Sequence, residues 1–135
     1  MFVFCSEKSV KPKKILRFYF GADSLDIAFD NLITQKAFDF GSDTLETAER
    51  LCSVIGEKMR LERLWAYLDS VLSGFSEEDR TALKDYASRR GIPLDDGERR
   101  AAKRAQIKFT RHARRLNEFE DDFAILKKYY CLIKV

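Results

Sequence analysis

Apolar residues recur every three or four positions through most of the chain, which is the spacing of an amphipathic α-helix. Residues 22–40, 42–74 and 98–133 carry this pattern. Only two prolines and six glycines occur, so long helices are permitted. The pattern predicts an all-α fold, a bundle of four to five helices. The predicted core positions are Leu25, Ala28, Phe29, Leu32 and Ile33, then Leu45, Ala48, Cys52, Ile55, Leu61, Leu64, Leu68 and Leu72, and finally Ala102, Ala105, Phe109, Ala113, Leu116, Phe119, Phe123, Leu126 and Tyr130.

Residues that start and stop helices divide these segments. The stripe of residues 42–74 changes phase near Met59, just after Gly56. Glycine costs about 1 kcal/mol relative to alanine inside a helix, so we expect a break or bend between Gly56 and Leu61. The next helix begins clearly, because Ser76 followed by Asp79 resembles a capping box. The segment "IPLDDG" then predicts a loop.

The last segment lacks glycine and proline from Glu98 to Ile133, and its stripe keeps phase through Asn117. Two structures fit this pattern. One is a single C-terminal helix of roughly 35 residues, far above the mean of about 11. The other is a pair of helices with a bend near Asn117.

Residues 1–20 differ from the rest. Two Phe-rich apolar runs, "FVFC" and "ILRFYF", flank Pro12, and aromatic residues favour strands. The pattern predicts a short N-terminal arm that is extended or forms β-strands. We expect one helical domain over residues 1–135, with this arm followed by an acidic helical part, 22–74, and a second helical part, 76–133.

Charge is distributed unevenly along the chain. The net charge is +3, but residues 99–115 alone carry +8 and no acid. Residues 18–57 carry eight acids against Lys36 and Arg50. Segregated charge of this kind produces a field that steers charged partners.

The basic stretch forms one face of a predicted helix. At 100° per residue, its cations fill most of the half opposite the apolar stripe. Like charges in such number repel one another, so a partner should offset them. That partner is either a nucleic acid, whose phosphates bind Arg and Lys, or carboxylates, including the chain's own acids in residues 23–57. The predicted nucleic-acid-binding residues are Arg99, Arg100, Lys103, Arg104, Lys108, Arg111, Arg114 and Arg115.

Candidate catalytic and metal-binding groups are sparse. His112 is the only histidine, and Cys5, Cys52 and Cys131 lack metal-ligand spacing, so no zinc site or His-based triad is expected. There is no Gly-rich phosphate loop or nucleophile elbow. We expect no enzyme activity and no cofactor. No run reaches the roughly 18 apolar residues of a membrane span, so we expect a cytoplasmic protein that does not bind membranes.

One family resemblance lies over about residues 58–116. The stretches "LERLWAYLDSVLSGFSEEDRTALKDYA" and "IKFTRHARRL" resemble region 4 of sigma-70 type RNA polymerase sigma factors, which are bacterial proteins. Between these stretches the family has a short helix and a tight turn, whereas this chain has "SRRGIPLDDGERRAAKRAQ". The matching residues are Leu68, Leu72, Ser76, Glu77, Glu78, Leu83 and Tyr86, then Ile107, Lys108, Phe109, Arg111, Ala113, Arg114, Arg115 and Leu116.

The resemblance implies a small helix-turn-helix scaffold that contacts promoter DNA and the polymerase. Together with the basic face, it predicts a non-enzymatic protein that is associated with DNA or RNA and linked to transcription. The alternative is a protein-interaction module that binds no nucleic acid. Its partner would be an acidic protein or a second copy of the chain, paired through the narrow stripe of the C-terminal helix.

Overall fold

The computed structural model describes residues 12–38, 44–88 and 95–133, and within these ranges the chain is helical with no strand. The all-α prediction is therefore confirmed for this part of the protein. The described ranges contain six α-helices, where four to five were expected for the chain. They are α1 (Pro12–Phe20), α2 (Ala22–Phe38), α3 (Thr44–Leu72), α4 (Glu77–Ser88), α5 (Asp96–His112) and α6 (Glu120–Tyr129), with 3-10 helices at Arg114–Phe119 and Tyr130–Leu132.

The first helix corrects the N-terminal prediction. Residues 12–20, expected in an extended or β arm, form α1; residues 1–11 lie outside the described ranges. Pro12 occupies the first helical position, where its missing N–H costs nothing. Ile15, Leu16 and Phe18 are all buried, because α1 packs against α2, α3 and α4. Burial on several sides overrides the local preference of aromatic residues for strands.

Polar contacts fasten α1 to its neighbours. Arg17 is buried, and its Nη1 donates a hydrogen bond of 3.1 Å to the carbonyl oxygen of Ala87. That carbonyl lies in the last turn of α4, where the helix dipole favours a cation. The Tyr19 hydroxyl donates to Asp69 Oδ1 at 2.8 Å, and the Tyr19 ring stacks on Trp65 at 5.4 Å. Burial, then this hydrogen bond, raises the pKa of Tyr19 to about 12.

Helix α3 differs from the sequence prediction in two respects. Of the break or bend expected between Gly56 and Leu61, the break is excluded, because the helix continues through Gly56 to Leu72. In addition, the side of the helix that is buried near its start is not the side that the sequence spacing indicates. Leu45, Ala48, Cys52 and Ile55 are exposed, and the core residues of α3 are Val54, Leu61, Leu64, Leu68 and Leu72.

Gly56 offers a direct test of this continuous helix. A Cβ atom added at Gly56 would meet nothing within 4 Å. We therefore expect Gly56→Ala to raise the free energy of unfolding by about 0.5–1 kcal/mol, because alanine restricts the unfolded chain and favours the helix. Urea denaturation followed by Trp65 fluorescence measures this change. A loss of stability would contradict a regular helix at Gly56.

The C-terminal segment is also interrupted. Helix α5 ends at His112, and the 3-10 helix Arg114–Phe119 separates it from α6. A single helix of roughly 35 residues is thus excluded, and the interruption includes Asn117. Helix α5 packs against α4 and α3, while α6 packs against α3. This arrangement places the basic stretch on the outer side of the α4–α5 pair.

Candidate nucleic-acid interface

Helix α5 is fixed by its cap and by its inner face. Asp95 Oδ1 accepts a hydrogen bond of 2.7 Å from the backbone N–H of Glu98, which satisfies one of the free amides at the helix start. The inner side chains Ala102, Ala105 and Phe109 are buried. The two alanines are small, so the α5 backbone can lie close to α4. Opposite this inner face, the helix presents its cations.

The eight predicted cations do not form one uniform face. Arg99 pairs with Asp96 at 3.8 Å. Arg114 and Arg115 lie beyond the end of α5, in the 3-10 helix. Arg115 pairs with Glu118 at 2.9 Å, and Arg114 Nε donates to the carbonyl oxygen of Arg111 at 3.1 Å. These three side chains are thus partly occupied by local contacts.

Lys108 has a structural role that the sequence did not indicate. Its ammonium pairs with Asp79 at 3.0 Å and lies 5.0 Å from the ring centre of Phe75. The hydrogen bond from Lys108 is the main cause that lowers the pKa of Asp79 below its ordinary value. Asp79 lies in the first turn of α4, so this ion pair joins α5 to α4. Lys108 is therefore less available to an external anion than its neighbours.

The remaining four cations form what we call the basic ridge: Arg100, Lys103, Arg104 and Arg111. All four are exposed. Among the residues that the structure describes, no carboxylate forms an ion pair with them. Arg100, Arg104 and Arg111 follow one another at i, i+4 and i+11, which places them on one side of the helix over about 16 Å. Ile107, also exposed, lies between Arg104 and Arg111 on this side.

Two acids of residues 23–57 pair with cations outside the basic ridge. Asp30 pairs with Lys58 at 3.2 Å, and Glu57 with Lys128 at 3.2 Å. Glu57 also accepts a hydrogen bond of 2.8 Å from the Tyr129 hydroxyl. These contacts join α2 to α3 and α3 to α6. Within the described ranges, they do not cover the basic ridge.

The 3-10 helix that follows α5 is held by a residue that sequence reasoning missed. The Tyr67 hydroxyl accepts a hydrogen bond of 3.0 Å from the backbone N–H of Arg115, and its ring stacks on Phe119 at 5.1 Å. Burial is the main cause that raises the pKa of Tyr67. Tyr67 lies on the predicted helix of residues 42–74, but no spacing rule marks it as a partner for a segment 48 residues away.

Across residues 12–38, 44–88 and 95–133, no group of three or more His, Cys, Asp or Glu side chains is arranged to hold a metal ion. In the same ranges, no helix combines the length and the apolar character needed to cross a bilayer. Comparisons with protein-family models, curated proteins and solved structures give no match for this chain.

Proposed function

We propose that this chain is a non-enzymatic protein that binds the phosphates of duplex nucleic acid through the basic ridge. The observation that carries the proposal is the row of exposed cations on α5 that form no ion pair with a described carboxylate. Their mutual repulsion destabilises the free helix. A polyanion removes that repulsion and gains electrostatic energy, which makes binding favourable.

The shape of the ridge favours a linear polyanion over a folded acidic protein. One strand of a duplex carries a phosphate about every 3.4 Å along its axis. Over about 16 Å of ridge, roughly five phosphates of one strand therefore lie within reach of the four cations. The long side chains of Arg100 and Arg111 allow both ends to bind at once.

The N-terminus of α5 argues against end-on insertion into a groove. Recognition helices contact bases with their N-terminal residues. In α5 this end carries Asp95, Asp96 and Glu98, which phosphates repel. The ridge is thus better suited to lie along the backbone, where contacts position the protein without reading the sequence.

A link to transcription rests on the sigma region 4 resemblance of residues 58–116. The resemblance supports RNA polymerase as a further partner of the chain. In this proposal the phosphate contacts of α5 hold the protein on DNA while other surfaces contact the polymerase. Co-sedimentation with purified polymerase, with and without DNA, tests this part separately.

Salt dependence of binding is the experiment that tests the ridge. Four phosphate contacts predict a slope of about −3.6 for log affinity against log salt, hence a fall of roughly 100-fold between 50 and 200 mM. Fluorescence anisotropy with labelled DNA and RNA duplexes, each in two unrelated sequences, measures the slope. We expect equal affinity for the two sequences. No binding at 50 mM salt, or an affinity that salt does not change, would refute the proposal.

A further inference from the structure

Helix α3 carries a second apolar stripe, which faces solvent. We call this stripe the α3 seam: Leu45, Ala48, Cys52, Ile55 and Met59. Its members are exposed, Ile55 by 41% and Met59 by 60%. Their spacings alternate between three and four residues, which is the heptad pattern of helices that pair side by side.

The seam is separate from the core stripe of the same helix. At 100° per residue, the seam is centred roughly 150° from the buried line of Val54, Leu61 and Leu68. Around Val54, α3 is therefore apolar on two opposite sides. One side packs in the core, and a helix apolar on both sides normally buries both.

We propose that the α3 seam binds the α3 seam of a second copy of this chain, with the two helices antiparallel. Side-chain sizes favour this direction. An antiparallel pair centred between Ser53 and Val54 places small Ala48 opposite Met59 of the second copy, and Cys52 opposite Ile55. Large residues then fill the space left by small ones, as close packing requires. A parallel pair would place Met59 against Met59 and leave the alanines facing each other.

Charges on the edges of the seam favour the same direction. Glu49 and Arg63 are exposed on one edge of the seam. Neither forms an ion pair within 4 Å of a described residue of opposite charge, although the charge of Arg63 also acts on Asp122 of α6. The antiparallel arrangement brings Glu49 of each copy towards Arg63 of the other, twice per dimer. A parallel arrangement would instead bring Lys58 towards Arg63 of the second copy, which is repulsive.

Two isoleucines of similar exposure allow a matched test. Ile55 lies in the seam, whereas Ile107, 47% exposed, lies on α5. Sedimentation equilibrium of the full chain from about 1 to about 500 µM should show a dimer whose population rises with concentration. We expect Ile55→Glu to lower the association constant at least 10-fold. Ile107→Glu should leave it unchanged, and circular dichroism verifies that both variants are folded.

A charge exchange tests the antiparallel direction. We expect Glu49→Arg alone to weaken association, because two arginines then face each other. Adding Arg63→Glu should restore it. A wild-type chain that stays monomeric over the whole concentration range would overturn the proposal, as would a dimer that Ile55→Glu does not weaken. Failure of the double exchange to restore association would overturn the antiparallel pairing. Because the seam and the basic ridge are on different helices, none of these outcomes depends on nucleic-acid binding.

Discussion

The triple variant Arg100→Gln, Arg104→Gln and Arg111→Gln should bind duplex nucleic acid roughly 100- to 1000-fold more weakly than the wild type at 50 mM salt. Each phosphate contact releases condensed counterions, and its loss costs about a factor of ten in affinity at low salt. Glutamine has nearly the helix propensity of arginine, so α5 should stay folded. Anisotropy titrations should also show that the salt slope falls from about −3.6 to about −1.

A control with the same change in net charge separates the ridge from general electrostatics. Arg50, Lys84 and Lys127 are exposed cations on α3, α4 and α6. Replacing all three by Gln should lower the affinity by less than about 10-fold, because distant charges are screened beyond roughly 10 Å at 0.1 M salt. If both triple variants lose affinity equally, the ridge is not the binding surface.

Lys108 is left out of the triple variant of the basic ridge, although the sequence places it among the candidate residues. Its contacts with Asp79 and Phe75 hold α5 against α4. Replacing Lys108 would therefore change the packing of the helix together with its charge, and the two effects could not be separated. This distinction depends on a contact between residues 29 positions apart, which helical spacing alone does not reveal.

Patterns confined to one helix were predicted well. Ser76 caps α4 as expected, since its Oγ accepts a hydrogen bond of 3.2 Å from the backbone N–H of Asp79. Ala102, Ala105 and Phe109 form the inner face of α5. Both features follow from backbone geometry over four to eight residues, which the order of residues determines directly.

Features that depend on distant packing were not predicted. The heptad spacing of Ile55 and its neighbours indicates a buried stripe, but it does not say which apolar face of α3 meets the core. The run "ILRFYF" favours a strand locally, yet α1 is helical because three helices surround it. The 3-10 helix that follows α5 is held at Arg115 by Tyr67, which comes from another part of the chain. In each case a tertiary contact selects among structures that local sequence leaves open.

Of the α5 variants, Phe109→Ala should lower the free energy of unfolding the most. The Phe109 ring packs beneath the basic ridge and holds the inner face of α5 in the core. Phe109 is 1% exposed and belongs to the core that α5 shares with α3 and α4. Removing a buried phenyl ring costs about 3–5 kcal/mol, from lost burial and from the cavity left behind. Small domains are stable by only about 5–15 kcal/mol, so the variant should unfold at a much lower urea concentration.

The matched control is Ile107→Ala, two residues away on the exposed side of the same helix. It should change the free energy of unfolding by no more than about 0.5 kcal/mol. Urea denaturation followed by Trp65 fluorescence measures both variants, and equal losses would show that the α5 inner face does not carry the packing assigned to it. Because binding favours the folded state, saturating duplex DNA should recover part of the stability that Phe109→Ala removes. Such recovery would show that the cations on the outer side of α5 bind phosphates only when the helix is folded, and the core of α5 stabilises that folded helix.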